Sequence, residues 1–142
     1  MHSIEKREVS NSVERWRDPP DHWPEHLRND FVASLGNGRV GTRLVSENER
    51  VRIWHLSLAP GERIGFHTHV LDYFWTAMTG GRARSHYGDG GIRDVVYQPG
   101  DTQHHKFQRG EFMIHDLENV GEAPLVFATV EFLDSANAPL EV

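Results

Sequence analysis

The residues best suited to chemistry in this sequence are its histidines. There are ten, and seven of them lie between His55 and His115. Imidazole is the commonest transition-metal ligand in proteins, and its ordinary pKa lies near neutrality. His67 and His69 stand one residue apart in the stretch GFHTHVLDYFW, and the chain has no cysteine, so a metal ion would need nitrogen and oxygen ligands. The pair is therefore either part of a metal site or two polar residues on the face of a strand.

The elements that must position this pair are strands. From residue 39 onward, short segments rich in β-branched and aromatic residues alternate with turn signals such as APGE, GDGG and PGD, which is typical of an all-β sandwich or barrel. The predicted strands cover residues 39–46, 50–58, 63–69, 72–79, 82–87, 92–98, 102–107, 111–119 and 124–132. Successive side chains of a strand alternate between its faces, so His67 and His69 share one face. About 7 Å apart, two such imidazoles can reach one ion between them if that face borders a cavity.

The N-terminal region has a different pattern. Residues 3–16 predict a helix with one apolar stripe, whereas residues 17–30 carry three prolines within six positions, which excludes a regular element. We expect an irregular, partly helical arm that wraps the barrel or a neighbouring subunit, with Trp16, Trp23 and Phe31 as its anchors. The alternative is a partly disordered leader.

Length and charge limit the classes of function. A chain of 142 residues is expected to form one domain, here divided into an arm over residues 1–39, a barrel over residues 40–136 and a tail over residues 137–142. A net charge of −6 argues against non-specific binding of nucleic acid, because phosphate contacts need a basic surface. No apolar run approaches the length of a membrane span, and no secretory leader pattern follows Met1, so we expect a cytoplasmic protein.

Two segments resemble the paired motifs of the cupin superfamily. They are PGERIGFHTHVLDYFWTAMTGG and QPGDTQHHKFQRGEFMIHDLENVGEAPLVF, within a region of similarity that covers residues 45–133. The positions in register are Gly61, His67, His69 and Gly80 in the first motif, and Gly100, Asp101, His115 and Asn119 in the second. The sequence looks most like small single-domain bacterial cupins, including proteins associated with β-alanine or polyamine breakdown. The resemblance implies a double-stranded β-helix, the cupin jelly-roll barrel.

The resemblance also implies a metal site. His67, His69 and His115 would be its ligands, and Asn119 would tighten the turn after the last of them. Three imidazoles on one side of an ion leave positions open opposite them, as a catalytic site requires. Fe is the ion that the resemblance favours for dioxygenase chemistry, and Mn, Ni, Co or Zn fit the same ligands.

The sequence departs from the cupin pattern at two places. The acidic ligand of the family is replaced by Tyr73, and the nearest carboxylate is its neighbour Asp72. Tyr73 can ligate as a phenolate, hydrogen-bond a metal-bound water or line the cavity. The second motif is also two residues too long before His115, and a competing register uses Pro99 and His104 instead.

Several further residues are candidates for the site. Tyr73 and His105 are the candidate catalytic residues, His105 as a general acid or base or as a fourth ligand. The other interpretation of His105 is a polar residue at the cavity mouth. Glu111 is either a carboxylate near the metal or a hairpin-end charge in water. The expected pocket residues are Trp75, Gln103, Met113 and Phe127.

These features favour a mononuclear metal-dependent enzyme. The expected activity is dioxygenase-like and acts on a small organic acid, a thiol or a diketone. The alternative is a non-catalytic binding or sensor protein for a small molecule, with or without metal. Cupins commonly dimerise by exchanging N-terminal strands, so the resemblance implies a homodimer formed through the arm or the edge strands. We expect a small-molecule ligand and neither a nucleic-acid nor a membrane partner.

Overall fold

The fold consists of ten strands and one helix within the part of the chain that the computed structural model describes, residues 19–142 and Arg7–Glu8. In chain order these elements are β1 (Arg7–Glu8), α1 (Glu25–Ala33), β2 (Arg43–Glu47), β3 (Val51–Leu58), β4 (Arg63–His69), β5 (Tyr73–Ala77), β6 (Gly81–His86), β7 (Ile92–Tyr97), β8 (Thr102–His105), β9 (Glu111–Asn119) and β10 (Leu125–Phe132). Each of the nine predicted strands corresponds to one of β2 to β10. The predicted all-β fold is confirmed.

The strands form two antiparallel sheets that face each other. One sheet has the order β1–β9–β6–β7, and β4 also pairs with β9; the other has the order β2–β3–β10–β5–β8. Most neighbours in these sheets are far apart in sequence, as in the pairing of β3 with β10 and of β4 with β9. Strands that are distant in sequence are thus brought side by side. The homodimer and the domain limits expected from the sequence stay predictions.

A first apolar core lies between the two sheets, and it follows from strand alternation. Along β3, Trp54, Leu56 and Leu58 are buried while His55 and Ser57 are exposed. The buried members of the cluster are Leu56, Leu58, Ala77, Ala83, Tyr97, Leu117, Leu125 and Phe127. These side chains come from both sheets, so the interior of the barrel is closed by packing at this end.

A second apolar core lies outside the first sheet, under helix α1. Trp23 and Phe31 pack on the outward side chain of Phe66 in β4, with ring centroids 5.4 Å and 5.2 Å from it. Leu27 and Phe31, one helical turn apart, are both buried. Two of the three expected anchors are therefore buried against the barrel, whereas Trp16 lies outside the described residues. Because α1 and Trp23 cover the outer face of this sheet, the strands that carry the histidines are buried on both faces.

The helix corrects one prediction. The proline-rich segment of residues 17–30 was expected to exclude a regular element, but α1 begins at Glu25, directly after Pro24. Proline is tolerated there because the first backbone N–H groups of a helix have no intrahelical partner. The carbonyl of Pro24 accepts the backbone N–H groups of Leu27 and Arg28. The helix predicted for residues 3–16 lies outside the described residues except for Arg7–Glu8, which form a strand paired with β9.

A buried charge network joins α1 to the first sheet. Asp116 in β9 is fully buried, and its carboxylate accepts a hydrogen bond from Nε of Arg63 at 2.7 Å. It also accepts from the backbone N–H and from Nδ1 of His86 in β6. The same guanidinium donates to Asp30 of the helix at 2.7 Å. Three strands are thus held together at one buried carboxylate, and Arg63 links that carboxylate to the helix. No helix in the described residues is long and apolar enough to cross a membrane.

Glu131 makes the stability of the barrel depend on pH. Its side chain is buried on the inward face of β10, and burial raises its pKa from 4.5 to about 7 despite a 2.8 Å hydrogen bond from the indole of Trp54. A folded-state pKa above the unfolded value means that this contribution to stability is complete below about pH 4.5 and is lost as the pH rises through about 7.

We therefore expect Glu131→Gln to be more stable than wild type at pH 8, by about 3 kcal/mol, and to match it near pH 4.5. Urea unfolding from pH 4.5 to pH 8 measures the difference. Exposed Glu49→Gln is the control and should follow wild type throughout. Parallel pH profiles for wild type and Glu131→Gln would contradict the prediction.

Candidate metal centre

Three histidines meet at one point inside the barrel. His67 and His69 lie on the same inward face of β4, as alternation requires. In the antiparallel pairing of β4 with β9, His115 stands directly opposite His67, so its side chain projects to the same face. One ring nitrogen from each of the three lies within 4.8 Å of the others. In the structure, the histidine of the second motif that joins this group is therefore His115. His104, the histidine of the competing register, is exposed on β8.

The spacing of the ring nitrogens fits a single ion. Nε2 of His69 and Nε2 of His115 are 3.2 Å apart. Two nitrogens bound to one ion at about 2.1 Å, with an angle near 100°, would be separated by about 3.2 Å. Within the described residues, Nδ1 of both rings is buried without a hydrogen-bond partner, so neither ring has the outer hydrogen bond that usually orients a metal-binding imidazole. The three histidines can therefore bind a metal.

His67 is oriented by a chain of contacts that begins in the helix. Its Nδ1 donates to the carbonyl of Gly65 at 2.9 Å, which leaves the Nε2 lone pair free to face an ion. This carbonyl lies in a bulge of β4, where the pairing with β9 shifts between Ile64 and His67. Asp30 of α1 accepts the N–H of Phe66 at 3.2 Å, and a Cβ at Gly65 would lie 3.1 Å from the same carboxylate. Asp30 of the N-terminal arm thus stabilises the bulge that orients the His67 side chain.

Burial keeps all three imidazoles neutral. Desolvation lowers the pKa of His67 to about 4, although its hydrogen bond to Gly65 opposes the shift. Desolvation also lowers the pKa values of His69 and His115 well below 6.5, and the neighbouring histidines lower them further. A ligand nitrogen must be unprotonated to bind metal, so the site is in its binding form at neutral pH.

Tyr73 occupies the position of the absent carboxylate and stacks on a ligand. Its ring lies 4.1 Å from that of His69, nearly parallel at 14°. Burial raises the pKa of the phenol well above 10, which favours a neutral hydroxyl over a phenolate ligand. The ring of His105 also stacks on that of Tyr73, at 4.7 Å and 11°. Tyr73 therefore contacts both His69 and His105, and the catalytic roles of Tyr73 and His105 stay predictions.

The nearby carboxylates have structural partners. Asp72 accepts the backbone N–H of Phe107 at 2.9 Å. Glu111 accepts the backbone N–H of Gln108 at 2.6 Å, which closes the turn before β9. Among the described residues, neither joins the group of possible ligands around His67. Within the described part of the chain, the group of possible ligands is therefore three ring nitrogens without a carboxylate.

A cavity opens beside the three histidines. Its volume, measured as the space open to the centre of a water molecule, is about 60 Å³. The lining residues are Val40, Leu56, His67, His69, Tyr73, Trp75, Ser85, Tyr87, Val95, Tyr97, Gln103, His115, Leu117, Phe127 and Thr129. Trp75, Gln103 and Phe127 were expected there. Met113 was also expected, but it is buried against Tyr73 and Phe107 instead.

The turn residues of the two motifs have structural roles. Asn119 donates from Nδ2 to the carbonyl of Leu58 at the end of β3 and to that of Ala123 in the turn after β9, and its Oδ1 accepts the backbone N–H of Gly121. Gly61 and Gly100 have positive φ, at 85° and 91°, which suits glycine. Asp101 accepts a backbone N–H at 2.9 Å within its turn. A Cβ at Gly80 would lie 3.3 Å from a backbone carbonyl of β7.

The network around Asp116 was not identified from the sequence. A signal was present, because Asp116 follows His115 in an apolar strand and must face away from the ligand side. A charged residue at a buried strand position needs partners. Those partners, Arg63 and His86, come from other strands, and the sequence does not show that they are close.

Comparisons with solved structures show the same architecture. A cupin domain from Bordetella pertussis Tohama I is 26% identical, with a TM-score of 0.55 over 63% of this chain and 88% of that one. A protein with a double-stranded β-helix domain from Klebsiella pneumoniae subsp. pneumoniae is 22% identical, with a TM-score of 0.53 over 92% of this chain and 95% of that one. No protein-family model matches the sequence, and neither does any curated protein.

Proposed function

This chain is a cupin in fold, and we propose that it is a metalloprotein holding one divalent transition-metal ion on His67, His69 and His115. The observation that carries the proposal is the convergence of three neutral imidazoles, two of them 3.2 Å apart at Nε2, on one side of a cavity. Neutral imidazole suits Fe, Ni, Cu and Zn among the common ions. We propose Fe for an oxygen-dependent reaction, with Mn, Ni, Co or Zn as other ions that fit the ligands.

The proposed activity is dioxygenase-like, on a small organic acid, thiol or diketone. A bound ion with three protein ligands would supply open positions for a substrate donor atom and for O₂. The chain's own residues would bind and enclose the substrate. Tyr73 offers a neutral hydroxyl beside the ligands, and the Gln103 side chain lines the cavity. The side chains of Trp75 and Phe127 give the cavity an aromatic wall, which excludes water.

A binding or sensor protein is the second candidate, and the cavity itself supports it. Among the described lining residues, the three histidines are the only groups whose ordinary pKa is near neutrality. If all three bind a metal, none of these lining residues is left as a general acid or base near pH 7. Tyr73, Tyr87 and Tyr97 all have pKa values raised by burial, so none of them fills that role.

Oxygen uptake separates the two candidates. Protein loaded anaerobically with Fe(II) is mixed with small acids, thiols and diketones in aerated buffer, and O₂ and ligand are followed together. We expect O₂ and ligand to disappear in a fixed ratio for one compound class, and the double variant His67→Ala, His115→Ala to show only background. A compound that raises the melting temperature without loss of O₂ or ligand would favour the binding protein instead.

A further inference from the structure

The cavity beside the histidines has an apolar, aromatic end. Trp75 lies two residues beyond Tyr73 on the same face of β5, and Leu117 lies two residues beyond His115 on β9, in each case about 7 Å further along the strand. Trp75, Tyr97 and Phe127 meet there edge to face, with centroids 4.9 to 5.6 Å apart and planes within 6° of perpendicular. The cavity therefore runs from a group of nitrogen ligands to an aromatic wall.

Within the described residues, the lining of this cavity contains no lysine, arginine, aspartate or glutamate. Charged side chains on the surrounding strands have other partners. Arg63 and Asp116 pair with each other on the opposite face of the sheet. Arg93 packs on the ring of Tyr87, 5.9 Å from its centroid, and does not line the cavity. Besides the three histidines, the polar side chains in the described lining are hydroxyls, the amide of Gln103 and the indole of Trp75.

From this distribution we infer that the site takes a small ligand with a single metal-binding end and an uncharged, apolar tail that lies against Trp75, Tyr97 and Phe127. The inference rests on the proposed metal. A second anionic group on the tail would lose its hydration and find no cation, which weakens binding at least about tenfold. The small volume of the cavity, about 60 Å³, suits a short tail.

Two five-carbon acids test this selectivity. Pentanoate has one carboxylate and a hydrocarbon tail, whereas glutarate has the same chain length with a carboxylate at both ends. The protein is first titrated with Co(II), whose visible spectrum and calorimetric stoichiometry report the metal by itself. Each acid is then titrated into the Co(II) protein at pH 8. We expect pentanoate to bind at least about tenfold more tightly than glutarate.

A variant of the aromatic wall connects this selectivity to the tail. Trp75→Ala should bind Co(II) as wild type does and weaken pentanoate binding about fivefold or more, because it removes apolar contact. The matched control is Val96→Ala in β7, an exposed apolar residue, which should change neither constant.

The outcomes separate the two proposals. If no Co(II) binds, the proposed metal site is wrong and the inference falls with it. If Co(II) binds but glutarate binds as tightly as pentanoate, or neither acid binds, only the selectivity is overturned. Glutarate binding that disappears in Arg93→Gln would identify that guanidinium as an anion partner and would likewise overturn the inference. Unchanged pentanoate binding in Trp75→Ala overturns the assignment of the tail to the aromatic wall.

Discussion

Replacing His67 and His115 together by alanine is expected to abolish metal binding. The two side chains stand directly opposite each other on β4 and β9, and their removal leaves His69 as the single remaining ligand. Loss of a partner that merely orients a ligand already lowers metal affinity about 10- to 100-fold, so the loss of two ligands should lower it by well over a hundredfold. Metal analysis and Co(II) titration measure the effect on protein prepared without a chelator or a nickel column.

The matched control is His104→Ala. His104 is the ligand of the competing motif register, and it is exposed on β8 beside the ring of Phe74. We expect about one metal ion per chain in wild type and in the His104 variant. Circular dichroism should show folded protein in all three. Equal metal content in wild type and the double variant would contradict the site.

Asp116→Ala is expected to destabilise the fold by about 3–5 kcal/mol, a loss typical of breaking a buried ion pair. The fully buried carboxylate accepts from Arg63 and from two groups of His86. Alanine would leave these donors without their acceptor in a site that α1 covers. The contacts of Arg63 with Asp30 offset only part of the loss, because that pair is partly exposed. Urea unfolding at pH 7 gives the free energies.

A surface ion pair supplies the control for this second prediction. Arg84 and Asp94 are joined by hydrogen bonds similar in length to those of the buried network, but both side chains are largely exposed. Exposed pairs contribute about 0–1 kcal/mol, so Asp94→Ala should have a small effect. Comparable losses in the two variants would mean that burial is not what makes Asp116 important. Asp116→Asn, which keeps the shape and removes the charge, should fall between wild type and alanine.

The Asp116→Asn variant also tests whether the network around Asp116 supports the metal site. Asp116 follows His115 in β9 and holds Arg63, the first residue of the strand that carries His67 and His69. The network lies on the outer face of the sheet and the ligands lie on the inner face. Weaker Co(II) binding by folded Asp116→Asn would show that the two faces are coupled through the strands.

The sequence by itself determined the strands, the turns and the His67–His69 pair, whereas His115 was a candidate through the resemblance to the cupin motifs. The strands, the turns and the pair follow from local chemistry: apolar residues that alternate with a period of two, glycines at turns that need positive φ, and a His-x-His pair that must share one face. For this reason all nine predicted strands are present, and His67 and His69 point the same way. The helix was not predicted because the three prolines were expected to exclude any regular element. Pro24, however, only precedes the first turn, and the apolar contacts of Leu27 and Phe31 favour the helix.

The tertiary structure alone decided which residues meet. It placed His115 rather than His104 opposite His67, paired Asp72 and Glu111 with backbone N–H groups, and stacked Tyr73 on both His69 and His105. It also placed a buried carboxylate behind the site and, within the part of the chain that the structure describes, left the cavity wall without a lysine, arginine, aspartate or glutamate. Such outcomes depend on the pairing of strands distant in sequence and on which faces are covered. The period of a strand indicates which side chains share a face, but only the closed barrel determines what that face meets.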